Sequence, residues 1–292
     1  MILCMIFVSD MKGRNKEHSL LRQVRLSVGL VILIFTMVVA SGCGSTSGSG
    51  TIIAGSTSVQ PYAEVLAEEY MILNPGTEID IQGGGSSAGI TAAQTESANI
   101  GMSSRSLKDD EEDLWNIEIA RDGLVLIVNP NNPIDNLTLE QIRDIYSGEI
   151  TDWGQLGGSP ARINLIAREE GSGTRSAFVE LAMGDEEITP KAIVQDSNGS
   201  VMQLVQGDPN AIGFISLGLV HDKVKALDLD GVEATAENIR NDSYTLARPF
   251  LYVTKDEPTG ITKSFIEFTL SEEGQKLLSD EGLIPSGEEI GR

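Results

Sequence analysis

Cysteine, histidine and positive charge are all scarce in this chain, and each scarcity closes off a class of function. The two cysteines, Cys4 and Cys43, fall within the first 43 of the 292 residues, so the body of the chain carries neither a disulfide nor thiol chemistry. His18 lies in the same stretch, which leaves His221 alone and excludes a His-rich metal site, although carboxylate sites for hard cations stay open. Against 43 Asp and Glu stand only 21 Lys and Arg, a formal net charge of −22. That balance argues against nucleic acid as a partner and fits a solvated surface that stays soluble outside the cell. It does not argue against a buried anion, because local donors hold a small ion while the distant field is screened within about 8 Å at physiological salt. Internal repeats are absent, and low complexity is confined to the Ser/Gly run at 45–50.

The first 43 residues read as a targeting segment and are set apart from the fold. Lys12, Arg14, Lys16, Arg22 and Arg25 make a basic region, 26–40 is almost wholly apolar, and Ala40-Ser41-Gly42 places small residues before Cys43. This pattern resembles the lipobox of a secreted lipoprotein, cleaved so that Cys43 takes the lipid, with Ala40 where such motifs usually carry Leu. An uncleaved membrane anchor is the alternative, and both readings put the domain outside the cytoplasmic membrane. Met11 precedes the basic stretch and is an alternative start to Met1. Removing five Lys/Arg and two Asp/Glu with the leader takes the formal charge from −22 to −25. The remainder is long enough for one large or two small domains, reached through a flexible tether at 44–50.

Along that remainder, strands and helices alternate. A strand at 51–56 precedes a helix at 61–73 that Asn74-Pro75-Gly76 stops. A strand at 78–82, a helix at 90–96 and a strand at 98–103 follow, the order of a parallel α/β sheet whose ligand lies at the strand C-termini. The apolar run 123–128 ends in Asn129-Pro130-Asn131-Asn132-Pro133, which reads as a crossing to a second lobe. Thr138 with Gln141 forms a capping box for a helix at 139–146. A strand at 163–167 leads to Arg168, and a helix runs from the next turn through Leu181. A helix at 199–206, a strand at 211–215, a return crossing at 244–253 and helices at 265–270 and 274–278 complete the pattern.

The chemistry concentrates in two glycine and hydroxyl junctions far apart in the chain, GGGSSAG at 83–89 and GSGTRS at 171–176. Each joins an extended segment to a helix, where exposed backbone N–H groups and the macrodipole favour negative charge. GSTS at 55–58 adds a third hydroxyl run, and Arg168 and Arg175 accompany the second junction. Together they point to a cleft that closes on a small oxyanion. The competing chemistry is hydrolysis: Gly85-Ser86-Ser87-Ala88-Gly89 fits G-x-S-x-G between a strand and a helix, with Ser87 as nucleophile and His221 as the one available base. Trp115, Trp153, Phe178, Phe214 and Phe250 read as core.

With these pieces in order, the chain resembles the phosphate-binding proteins of phosphate-specific ABC transporters. The likeness runs from AGSTSVQPYAEVLAEEY through GGGSSAGI, IGMSSRSL, REEGSGTRSAF and GDPNAIGFISLG to GQKLL, nearly the whole chain beyond the leader. It implies a two-lobed periplasmic-binding-protein fold with the ligand between lobes, one lobe at 50–128 plus 248–292 and the other at 129–247. It implies no enzyme and no cofactor, and a monomer that delivers phosphate to membrane permease subunits. By motif, the ligand donors are Thr57, Ser58, Ser86, Ser104 with Arg105, Arg168, Ser172, Gly173 and Thr174, with Arg175 as a neighbour. A desolvated tetrahedral oxyanion wants directed N–H and O–H donors and a forked guanidinium, and this set supplies them. The departure is Ser104, where many members carry an aspartate that accepts the proton of hydrogen phosphate and repels sulfate. Sulfate and molybdate therefore stand as alternative ligands.

Overall fold

The computed structural model describes residues 50–287; the leader, Cys43 and most of the tether lie outside the described residues. The chain begins with β1 (Thr51–Gly55), α1 (Gln60–Leu73), β2 (Ile79–Gly83), α2 (Ser86–Gln94) and β3 (Ile100–Ser103), followed by the long strand β4 (Trp115–Val128). Next come β5 (Asn136–Leu137), α3 (Leu139–Ser147), β6 (Asn164–Arg168), α4 (Gly173–Phe178), β7 (Ile193–Gln195), α5 (Asn198–Gly207) and β8 (Ala211–Ser216). The short β9 (Lys225–Ala226) and β10 (Asp228–Leu229) and helix α6 (Ala236–Arg240) precede the return strand β11 (Ala247–Thr254). Helices α7 (Gly260–Leu270) and α8 (Glu272–Asp280) and strand β12 (Ile284–Pro285) end the described chain.

Hydrogen bonding runs through the order β2-β1-β3-β11-β4-β8-β6-β7. Strands β1, β2 and β3 are parallel, as are β6, β7 and β8, and the antiparallel β11 and β4 join the two groups. Two hydrophobic cores sit on either side of this junction. Ile53, Leu66, Ile100, Ile119, Phe250 and Phe265 belong to the first; Val125, Ile127, Tyr146, Phe178, Phe214 and Leu246 belong to the second. In the second core the Phe178 and Phe214 rings stack 4.1 Å apart, and Tyr146 meets both edge-on. The mixed α/β, two-lobed architecture expected from the sequence is the one observed.

The crossing differs in detail from the sequence reading. Strand β4 pairs with β11 from Trp115 to Gly123 and with β8 from Leu124 to Val128. The change of partner thus falls inside a continuous strand, ahead of Asn129. The Asn129 turn instead packs on the second core, its side-chain amide donating to the Val205 and Gln206 carbonyls at the end of α5. The sequence also placed helix starts late. Gly85 takes φ 88°, which lets the helix begin at Ser86, and Ser197 caps α5 so that Asn198 opens it. The helix from the second junction stops at Phe178 and continues as a π-helical turn through Met183.

Each parallel strand of the first core ends in a site segment. Strand β1 delivers Ser56 to Ser58, β2 delivers the turn before Ser86, and β3 delivers Ser104 and Arg105, so the C-terminal edge of this parallel group gathers residues from three separate segments. On the other side β6 ends at Arg168, with α4 directly after it.

Candidate functional site

Three hydroxyls from three loops meet at that edge. Ser56 Oγ donates to Ser104 Oγ at 2.9 Å, Ser86 Oγ lies 3.3 Å from Ser104 Oγ, and the Ser104 amide donates to Ser86 Oγ at 3.0 Å. Ser58, Ser86 and Ser104 are all fully buried. The second core supplies the facing surface. Thr174 Oγ1 lies 2.8 Å from Ser58 Oγ, and the Ser87 amide donates to the Gly171 carbonyl at 3.1 Å. Gly173 lies flush against the serines: a Cβ there would collide with Ser86 Oγ and stand 2.6 Å from Ser104 Oγ. Only glycine lets the two surfaces approach this closely.

Arg168 is the buried cation of the facing surface. Its Nε and Nη2 fork onto both oxygens of Glu169 at 3.0 and 2.9 Å, and Nη2 also reaches the Asp196 carbonyl at 2.9 Å and Thr57 Oγ1 at 3.3 Å. Its Nη1 is buried without a protein partner. A guanidinium nitrogen left dry and unpaired costs free energy unless an acceptor comes to it, and an oxyanion is such an acceptor. Thr57 Oγ1 accepts from Asn198 as well as Arg168.

The remaining predicted residues divide. Ser172 caps α4, its Oγ accepting from the Arg175 amide at 3.2 Å, and Arg175, half-buried, donates from Nη1 to the Arg168 carbonyl at 3.1 Å. Arg105 turns aside: Glu111 holds its two Nη groups at 2.7 and 2.8 Å, and its nearest hydroxyl is Ser87 Oγ at 3.5 Å. The Arg105 hydrogen bonds hold the Glu111 carboxyl below its usual range. Ser56, Asn198, Asp122 and Arg248 were absent from the sequence-derived set. Asn198 Nδ2 donates to Ser58 Oγ at 2.9 Å, and Arg248 Nη2 donates to the same oxygen at 3.1 Å. Their signals were faint: Ser56 lies in the GSTS run, Asn198 follows a capping Ser197, and Arg248 is an arginine inside an apolar return strand.

The site therefore gathers hydroxyls and amides with three arginines, each matched by its own carboxylate: Arg168 with Glu169, Arg105 with Glu111 and Arg248 with Asp122. Such a set can bind a small tetrahedral anion through directed donors with no excess of formal charge. The components of a serine hydrolase do not come together. Ser87 Oγ accepts from Arg105, whereas His221 is exposed and its Nδ1 accepts from the Lys223 amide in its own loop. Among the described residues no group of acidic, cysteine and histidine side chains could hold a metal ion, and no helix is long and apolar enough to cross a membrane.

Comparison with known proteins agrees with this geometry. Residues 41–273 match the model of a PBP superfamily domain. The chain is 34% identical over 252 residues to the phosphate-binding protein PstS of Bacillus subtilis, covering 84% of this chain and 83% of that one. It is 30% identical to PstS of Borreliella burgdorferi over 87% of this chain and 98% of the relative. Among solved structures, a substrate-binding protein from Clostridium perfringens, assigned to a phosphate ABC transporter and solved with phosphate bound, superposes with a TM-score of 0.79 at 48% identity. That match covers 81% of this chain and 99% of the other. An ABC-type phosphate transport receptor from Vibrio cholerae superposes with a TM-score of 0.69 at 40% identity, over 81% and 100% of the two chains.

Proposed function

From a chain that belongs to the PBP superfamily, and within it to the phosphate-binding proteins of ABC transport, we propose a capture mechanism in which the facing loops of two lobes close on inorganic phosphate. The protein is the phosphate-binding component of an ABC phosphate import system. The observation that carries the mechanism is the buried, unpartnered Arg168 Nη1 beside a cluster of hydroxyls drawn from both cores. Thr57, Ser58, Ser86 and Ser104 serve from one lobe, and Arg168, Ser172, Gly173 and Thr174 from the other. Arg175 steadies the Arg168 backbone, and Arg105 acts at the rim, neutralised by Glu111. Charge-assisted, forked donation from Arg168 provides strength, while hydroxyls and backbone amides provide direction.

The lobes divide close to the bounds read from the sequence, 50–128 with 248–292 and 129–247, except that 124–128, which pair with β8 and pack in the second core, go with the second lobe; β4 and β11 are the hinge strands that both lobes share. Hinge closure about two such strands requires backbone adjustment only near the crossing. The chain acts without turning its ligand over, as a monomer handing phosphate to permease subunits on the outer side of the cytoplasmic membrane. A lipid on Cys43 and the tether at 44–50 hold it there; the basic and apolar leader supports this reading.

Uptake of labelled phosphate at limiting concentration tests the role. Cells lacking the gene should take up less, native protein should restore uptake, and a Cys43→Ala form released into the medium should restore less. Uptake unchanged by the deletion would remove the transport role.

A further inference from the structure

One buried ion pair lies outside the donor set just described and yet touches it. Arg248 on β11 and Asp122 on β4 face each other on the strands shared by the two cores, and both are fully buried. Arg248 Nε and Nη2 reach Asp122 Oδ2 at 3.0 and 2.9 Å, and Asp122 Oδ1 accepts from Ser216 Oγ of β8 at 2.7 Å. The guanidinium has donors to spare. Nη2 also reaches Ser58 Oγ at 3.1 Å, and Nη1 reaches the Ser104 carbonyl at 3.4 Å. A guanidinium has no lone pair to offer and stays charged, so every one of these contacts has Arg248 as donor.

That fixes the direction of the bond across the cleft. A serine hydroxyl has two acceptor positions and one proton. At Ser58 the acceptor positions are taken by Arg248 Nη2 and Asn198 Nδ2, so its proton goes to Thr174 Oγ1, 2.8 Å away on the other lobe. Thr174 then keeps its own proton for a further acceptor. We infer that Arg248, held by Asp122, is a positioning residue for the anion: it orients the Ser58 hydroxyl so that Thr174 presents a proton to the ligand. This rests on the phosphate reading of the site. Asp122 anchors the guanidinium and bridges to Ser216, tying the orientation of the donors to the strands about which the lobes are joined.

The test separates positioning from stability. Replacing a buried ion pair by apolar side chains of similar size is often neutral for folding, so the double variant Arg248→Met with Asp122→Leu should unfold cooperatively near the native temperature. It should nevertheless bind phosphate about 10- to 100-fold more weakly in titration calorimetry, the scale of a hydrogen bond to a charged group. Binding within threefold of native by the folded double variant would overturn the assignment. Should that variant fail to fold, Arg248→Lys, Ser58→Ala and their combination carry the same test. Loss from Arg248→Lys should shrink to less than half, in free energy, once Ser58 is gone, and simply additive losses would overturn the inference. Native protein giving no phosphate isotherm would overturn the phosphate reading and this assignment with it, whereas native binding with unaffected variants overturns the assignment alone.

Discussion

Replacing Arg168 by lysine keeps the charge and removes the fork, and the structure sets out what that change costs. In the native protein Nε and Nη2 are committed to Glu169, to the Gln195 and Asp196 carbonyls and to Thr57 Oγ1, which leaves Nη1 and its hydrogens for the ligand. An ammonium has one nitrogen and three hydrogens, so it can serve Glu169 or the ligand but not both with the same geometry. Losing one member of a buried, hydrogen-bonded charge contact costs about 2–5 kcal/mol, or roughly 30- to 4,000-fold in phosphate affinity at about 1.4 kcal/mol per decade. Arg175 makes its contact with the Arg168 carbonyl from a half-buried position. A lysine there should cost about 1 kcal/mol, near fivefold. Titration calorimetry of phosphate into the native protein and the two variants, with circular dichroism to establish that each is folded, makes the comparison. Equal losses in the two variants, or an Arg168→Lys protein within threefold of native, would mean that the Arg168 fork does not hold the ligand.

Other expectations follow from the same geometry. Ser104→Asp should exclude sulfate more completely while phosphate binding becomes pH-dependent, because the added carboxylate is satisfied only by an anion that still carries a proton, and Arg105 is already held by Glu111. Competition of labelled phosphate by excess sulfate at two pH values reads this out, and unchanged competition contradicts it. Gly173→Ala places a methyl against Ser86 and Ser104; overpacking of this kind costs about 1–3 kcal/mol, which should appear as roughly 5- to 150-fold weaker phosphate binding with little change in melting temperature, since the two surfaces can part. Ser87→Ala should leave phosphate affinity unchanged, and any esterase activity abolished by it would revive the hydrolase reading. Glu111→Gln should lower the melting temperature at neutral pH. Arg105 depresses the Glu111 carboxyl in the folded state, so its stabilisation is complete above the ordinary carboxylate range and fades as pH falls through the depressed value. Native and variant melting temperatures should therefore converge in acid, and a gap that widens there would contradict the pairing.

Much of this arrangement is legible in the residues because the site is local in sequence. GSTS, GGGSSAG and REEGSGTR each place several donors within one turn, and strand-to-helix junctions bring such turns to one edge of a parallel sheet. The alternation of Ile117 and Ile119 with Asn116 and Glu118 carried a strand signal, yet the first half of β4 was missed, and with it the mid-strand change of partner that sets the crossing. Arg248, Asp122 and Asn198 were illegible for a different reason. Their roles arise from pairing between residues more than a hundred positions apart, and no local pattern distinguishes a buried arginine with a distant aspartate from a surface one. Arg105 shows the converse: its motif placed it beside the ligand donors, whereas Glu111, one short turn later, draws its guanidinium away.

Everything above turns on the hydroxyl and arginine cluster that joins the two lobes being a phosphate site. Titration calorimetry of inorganic phosphate into protein unfolded, stripped of ligand and refolded tests it most directly. Saturable heat with a stoichiometry near one phosphate per chain is expected, lost or greatly weakened in Arg168→Lys. No heat with phosphate, or saturable heat with sulfate alone, would contradict it.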